Sequence, residues 1–88
     1  NQPIKDVTLA PFYEDGKLTG YRFTRLGNEA PIKVLGFERG DIIRRINGEE
    51  VSNPQPLFEM VNKVGEIEAV SIDIIRNNEK KTIFVEIQ

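Results

Sequence analysis

The chain has 88 residues, with 12 Lys and Arg against 14 Asp and Glu, a formal net charge of −2 at pH 7, and neither cysteine nor histidine. One domain near the lower size limit for folding without staples is expected. Thiolate chemistry and disulfides are excluded, as is the commonest metal ligand and neutral-pH general base. The basic residues are scattered, with Arg44-Arg45 and Lys80-Lys81 the only adjacent pairs, which is poor ground for nucleic acid, and no apolar run approaches transmembrane length.

Residues 1–6 read as a linker and 7–88 as the domain. The first residue is Asn1 and no signal peptide is present, so a piece of a longer protein is expected. Val7 to Tyr13 is apolar and β-prone. Pro11 interrupts it and donates no backbone hydrogen bond, so this strand is expected at an edge or bent. Glu14-Asp15-Gly16-Lys17 is turn chemistry. Gly20 to Arg25 reads as a second strand with Tyr21 and Phe23 on one face and Arg22 on the other.

Gly27-Asn28-Glu29 breaks the chain. Ala30 to Leu35 suits a short helical turn, started by Pro31 and ended by Gly36. Ile42 to Ile46 is the next strand, and Asn47-Gly48 fits the two positive-φ positions of a tight hairpin before Glu49 to Val51. Asn53-Pro54 is a helix start, and Leu57, Met60, Val61 and Val64 recur at helical spacing, so a helix over Pro54 to Val64 ending at Gly65 is expected. Val70, Ile72 and Ile74 alternate, as do Ile83, Val85 and Ile87, which predicts a closing hairpin joined through Asn77 to Lys80. The fold class is therefore α+β: five to six mostly antiparallel strands in a partly open barrel or sandwich, capped by one short and one longer helix.

Little in the sequence carries chemistry. Ser52 and Ser71 lack any histidine to activate them. Asp41, Glu49 and Glu50 cluster near the hairpin, but without a calcium-loop spacing they read as a solvated turn. Gly16, Gly20, Gly36 and Gly40 are not followed by the Lys-Ser/Thr of a phosphate loop. Phe12, Tyr13, Tyr21, Phe23, Phe37, Phe58 and Phe84 lack a basic stripe beside them and read as core or groove wall. No catalytic residue, metal site or cofactor is expected.

One pattern is specific. Leu35 to Val51 reads Leu-Gly-x-x-x-Gly-Asp-x-Ile-x-x-Ile-Asn-Gly, and this order resembles the middle of a PDZ domain. Strand, capped helix and C-terminal hairpin follow in the order of bacterial PDZ domains, which are circularly permuted relative to the metazoan form. VTLAPFYEDGKLTGYRF and Leu-Gly-Phe-x-x-Gly-Asp look most similar to the periplasmic PDZ domain of component C of the type II secretion system.

The resemblance implies a non-catalytic module that takes a protein or peptide segment as an added strand. By motif position the ligand loop would be Leu18-Thr19-Gly20-Tyr21. Tyr21 and Phe23 would face the groove from the strand, and Pro54, Phe58, Val61 and Asn62 from the helix. The family's loop is glycine-richer, so that successive N–H groups can point at a carboxylate. Only Gly20 remains here, and Tyr21 and Phe58 are bulky, so an internal segment or a protein surface suits the site better than a free C-terminus. The implied setting is the periplasmic part of an inner-membrane protein, with exported proteins or other secretion components such as the secretin as partners, no nucleic acid, and no membrane contact by this segment. The alternative is the substrate-binding PDZ domain of an HtrA-like or intramembrane protease.

Overall fold

The computed structural model describes residues 6–51, 55, 59, 66 and 68–86. Three two-residue turns organise it. Asp15-Gly16, Asn47-Gly48 and Asn77-Asn78 all hold positive φ at both positions, the backbone twist that lets a two-residue turn join antiparallel strands without splaying them. The first joins β1 (Val7–Glu14) to β2 (Lys17–Leu26), the second β3 (Ile42–Ile46) to the short β4 (Glu49–Glu50), and the third β5 (Ala69–Arg76) to β6 (Glu79–Glu86).

All pairings are antiparallel, in the order β1-β2-β3-β5-β6, with β4 attached to β3. Pro11 lies, as its chemistry requires, on an outer strand, and β1 carries register shifts between Thr8 and Leu9 and between Phe12 and Tyr13.

Directly opposed residues of antiparallel strands share a face. One face therefore collects Leu9 with Phe23, Tyr21 with Ile43, Ile43 with Ile74, Ile46 with Ile72, and Val70 with Val85. Phe23, Ile43, Ile72 and Ile74 are its fully buried members, and Ile32 and Phe37, from outside the strands, complete the fully buried core. The other face carries the row Arg45, Asp73, Thr82 across three strands. In β3 one extra residue, Arg44, stands between the paired Ile43 and Arg45, a bulge that bends the strand and re-aims that side chain.

The expected helix-capped barrel or sandwich is corrected. The described residues form one six-stranded antiparallel sheet, and the short helix is a 3-10 turn over Pro31–Leu35. Proline at its start and the left-handed Gly36 at its end leave room for a single turn, closed by Lys33 N–H to Ala30 O and Gly36 N–H to Lys33 O. No capping α-helix is an element among the described residues. Of the span Pro54 to Val64, only Gln55 and Glu59 are described, each with helical backbone; the rest of that expected helix lies outside the described residues.

Gly20 is needed for spacing. A Cβ there would run into the backbone oxygen of Ile43 and lie 3.2 Å from Cγ2 of Ile42. A backbone atom in a central strand cannot step aside as a side-chain tip can. Gly20→Ala is expected to cost about 1–3 kcal/mol, read as a lowered thermal midpoint, with amide shifts concentrated in β2 and β3. An unchanged midpoint would show that the two strands separate freely.

Candidate functional site

A polypeptide ligand that adds to a sheet needs a strand with one side unpaired. Among the described residues the long outer strands β1 and β6 offer that, as does the two-residue β4, which pairs with β3 alone. β2 does not. Tyr21 stands opposite Pro11 on one side and Ile43 on the other, and the β2–β3 pairing extends through Phe23 N–H to Asp41 O at 3.0 Å and Gly40 N–H to Phe23 O at 2.9 Å. This order gives Tyr21 and Phe23, expected to face the groove from the strand, backbone neighbours on both sides, with Gly20 packed against β3. Phe23 is 0% exposed, and Tyr21 and Gly20 are also buried.

Leu18 and Thr19 sit differently. Both are half-buried beside the β1–β2 turn, and Leu18 packs against the edge of the core. The Thr19 hydroxyl donates to Phe12 O at 3.4 Å, and Thr19 O accepts from Arg44 Nε at 3.1 Å. This end of β2 is thus tied to β1 and to the β3 bulge, with few polar groups left to cradle an anion. Pro54, Phe58, Val61 and Asn62 lie outside the described residues, so the expected second wall of the groove does too.

The two outer strands differ in chemistry. β1 brings Val7 and Leu9, half-buried and packed against the core, and Phe12, whose ring lies 5.1 Å under the Arg22 guanidinium, within cation–π range. Its outer backbone is therefore bordered by apolar surface. β6 carries Lys80 and Lys81, both exposed.

Asp41 is the residue that sequence reasoning misplaced. Far from a solvated turn, it is 1% exposed. Its Oδ1 accepts from Arg76 Nε at 2.9 Å, and its Oδ2 accepts from Arg76 Nη2 at 2.7 Å and from the Glu38 N–H at 2.8 Å. Arg76 Nη2 also reaches Gly36 O at 2.9 Å, and Nη1 lies 3.4 Å from Glu38. The hydrogen bond to Asp41 and the charges of Asp41 and Glu38 outweigh burial and raise the Arg76 pKa above its ordinary value. The cation therefore persists at every pH the fold meets. This lock clasps the Gly36-to-Asp41 loop. Glu49 and Glu50 are exposed, as a solvated turn predicts. Among the described residues no group of acidic side chains could hold a metal.

No family model and no curated protein matches the sequence. Solved structures do. The PDZ domain of EpsC from Vibrio cholerae, residues 219–305, superposes with a TM-score of 0.59 at 18% identity, covering 99% of this chain and 100% of that one. The PDZ domain of the pullulanase C protein of the type II secretion system from Klebsiella pneumoniae, in complex with fatty acid, gives 0.59 at 14% identity over 96% of this chain and 87% of that one. The HtrA3 PDZ domain bound to a phage-derived ligand, FGRWV, gives 0.66 at 16% identity over 92% of this chain and 80% of that one. The fold read from Leu35 to Val51 is thus the fold of these structures, over nearly the whole chain.

Proposed function

With the PDZ fold as premise, we propose that this chain is a non-catalytic module that binds an extended protein segment along the free edge of β1. The observation that carries the reading is the strand order: β1 is an outer strand, apolar in sequence, with no neighbour on its far side among the described residues. Backbone pairing there supplies affinity, and the side chains bordering the strand supply choice. Leu18 and Thr19 lie at the turn end of this edge. Pro54, Phe58, Val61 and Asn62 are the proposed opposing contacts. Gly20, Tyr21 and Phe23 act from beneath, by holding β1 in register. The ligand-bound HtrA3 domain supports a peptide as the ligand class.

In its setting the module serves the periplasmic part of a type II secretion inner-membrane component, where it recruits exported proteins or helps assemble the machine. The likeness to the EpsC and pullulanase C domains over nearly the whole chain is the ground for this setting, and the likeness to the HtrA3 domain keeps a protease-attached module as the second reading. Among the described residues no helix is long and apolar enough to cross a membrane. A serine-protease domain or a His-Glu-x-x-His helix in the parent reading frame would transfer the module to the protease class.

The binding mode is tested by backbone NMR titration with the peptide FGRWV and its C-terminally amidated form. The expected result is saturable amide shifts along Val7 to Phe12, with little difference between the two forms because Leu18 and Thr19, at the turn end of this edge, present no glycine-rich run of N–H groups to a carboxylate. Shifts confined to the β5–β6 hairpin would overturn the reading.

A further inference from the structure

β6 is a second outer strand, and where β1 is bordered by apolar side chains it carries exposed Lys80 and Lys81 between the exposed glutamates at its two ends, Glu79 and Glu86. Among the described residues nothing pairs with its outer side over Glu79–Glu86. Beside it a cleft of about 320 Å³ opens, lined among others by Arg44, Arg45, Asp73, Lys80, Lys81 and Thr82. Four basic residues and one acidic residue line it, on a chain whose net charge is −2.

The carboxylate is already engaged, since Asp73 Oδ1 accepts from the Thr82 hydroxyl at 2.9 Å. Arg44 is also occupied, by Thr19 O and by Glu14 at 3.5 Å. Arg45, Lys80 and Lys81 have no ion-pair partner among the described residues. Glu50, opposite Arg45 on β4, marks the limit of the cationic surface.

Adjacent residues of a strand point to opposite faces, so Lys80 and Lys81 place one ammonium on each side of the β6 edge. Lysines on an outer strand deter indiscriminate pairing, because an apolar strand laid there must displace or desolvate them. An acidic strand meets the same two groups as partners. Arg45 lies two strands further in, opposite Asp73, and adds to the attractive field more than to direct contact.

We propose that the β6 edge and the cationic cleft beside it receive an extended acidic segment of a partner protein, added as a further strand next to Lys80 and Lys81. This surface is separate from the β1 edge, so two segments of different chemistry can be held at once on opposite margins of one sheet.

The test is a backbone NMR titration of the whole chain with the capped peptide Ac-Val-Glu-Asp-Val-Glu-Asp-Val-amide, and with its counterpart in which every acidic residue is lysine. The acidic probe is expected to shift the amides of Glu79 to Glu86, Arg45 and Asp73 saturably, leaving Val7 to Phe12 unmoved. The lysine probe should give no saturable shift. Affinity should fall severalfold between 50 and 300 mM salt, roughly the range over which the Debye length shrinks below about 10 Å. Lys80→Glu with Lys81→Glu should weaken binding at least tenfold, on a chain whose far-ultraviolet circular dichroism is unchanged. Asp73→Asn should tighten it.

Equal response to both probes, shifts only along β1, or full affinity in the folded charge-reversed variant would overturn the proposal. So would concentration-dependent β6 shifts without any probe, which would seat a second copy there, or binding of phosphatidylglycerol vesicles without response to the acidic peptide. Loss of FGRWV binding at β1 leaves this result standing, and loss of acidic binding at β6 leaves that one standing.

Discussion

Phe23→Ala is expected to remove about 3–5 kcal/mol of folding stability, read as a fall in the urea midpoint at unchanged slope. Phe23 is fully buried, lies opposite Leu9 of β1, and has its ring 5.3 Å from that of Phe37 at 50°. Truncation removes the transfer free energy of the ring and leaves a void that neighbours on both sides cannot fill. Backbone hydrogen bonds to Asp41 and Gly40 fix the strand beneath it. A domain of this length holds roughly 4–13 kcal/mol in all, so the variant should be largely unfolded at modest urea. The groove-wall role suggested by family position predicts the reverse, lost ligand affinity with an intact midpoint. Phe23→Leu and Phe37→Leu, singly and together, give a second reading. A coupling of about 0.5–1.5 kcal/mol is expected for the ring pair.

The contrast shows what alternation along a strand can and cannot convey. It placed Tyr21 and Phe23 on one face, which is correct, but a face is not a cover. Whether the apolar side looks into a core or a groove depends on strand order, and order is not written into any single strand. The turns were legible because Asp15-Gly16, Asn47-Gly48 and Asn77-Asn78 each satisfy a local backbone demand. Pro11 was legible as an edge marker because its missing donor is a local fact too. Leu35 to Val51 identified the fold for the same reason, and it acts in the structure as scaffold, carrying the loop and β3 that hold β2 in place. The short helical turn is legible too: Pro31 marks its start and the left-handed Gly36 its stop, and it forms as a 3-10 turn. The β6 edge drew no functional expectation. In the sequence Lys80-Lys81 is a bare pair, and its meaning depends on Arg45, which the strand order brings two strands away.

Asp41 was misread because its partner is 35 residues distant. Asp41→Ala is expected to cost about 2–4 kcal/mol. Breaking a buried ion pair by deleting one member costs about 3–5 kcal/mol when the survivor is sealed in. Here the figure is lower, because the Arg76 side chain retains 20% exposure and Glu38 stands 3.4 Å away to share its charge. The Glu38 N–H also loses its acceptor. Asp41→Asn keeps an acceptor oxygen without the charge and should fall between the wild type and alanine. Arg76→Ala alone strands the buried carboxylate and should destabilise at least as much as Asp41→Ala. The double variant, with neither charge left behind, should lose clearly less than the sum of the two. Strict additivity would show that the loop is held by its backbone bonds alone. The consequence for function runs through Phe23. The loop locked by Arg76 presents Asp41 O and Gly40 N–H to that residue, so loosening it frees β2 from β3, and β2 is what aligns β1. Amide exchange in Asp41→Ala should therefore accelerate first at Phe23 and Gly40, and affinity for a β1-edge peptide should fall although Asp41 touches none of it.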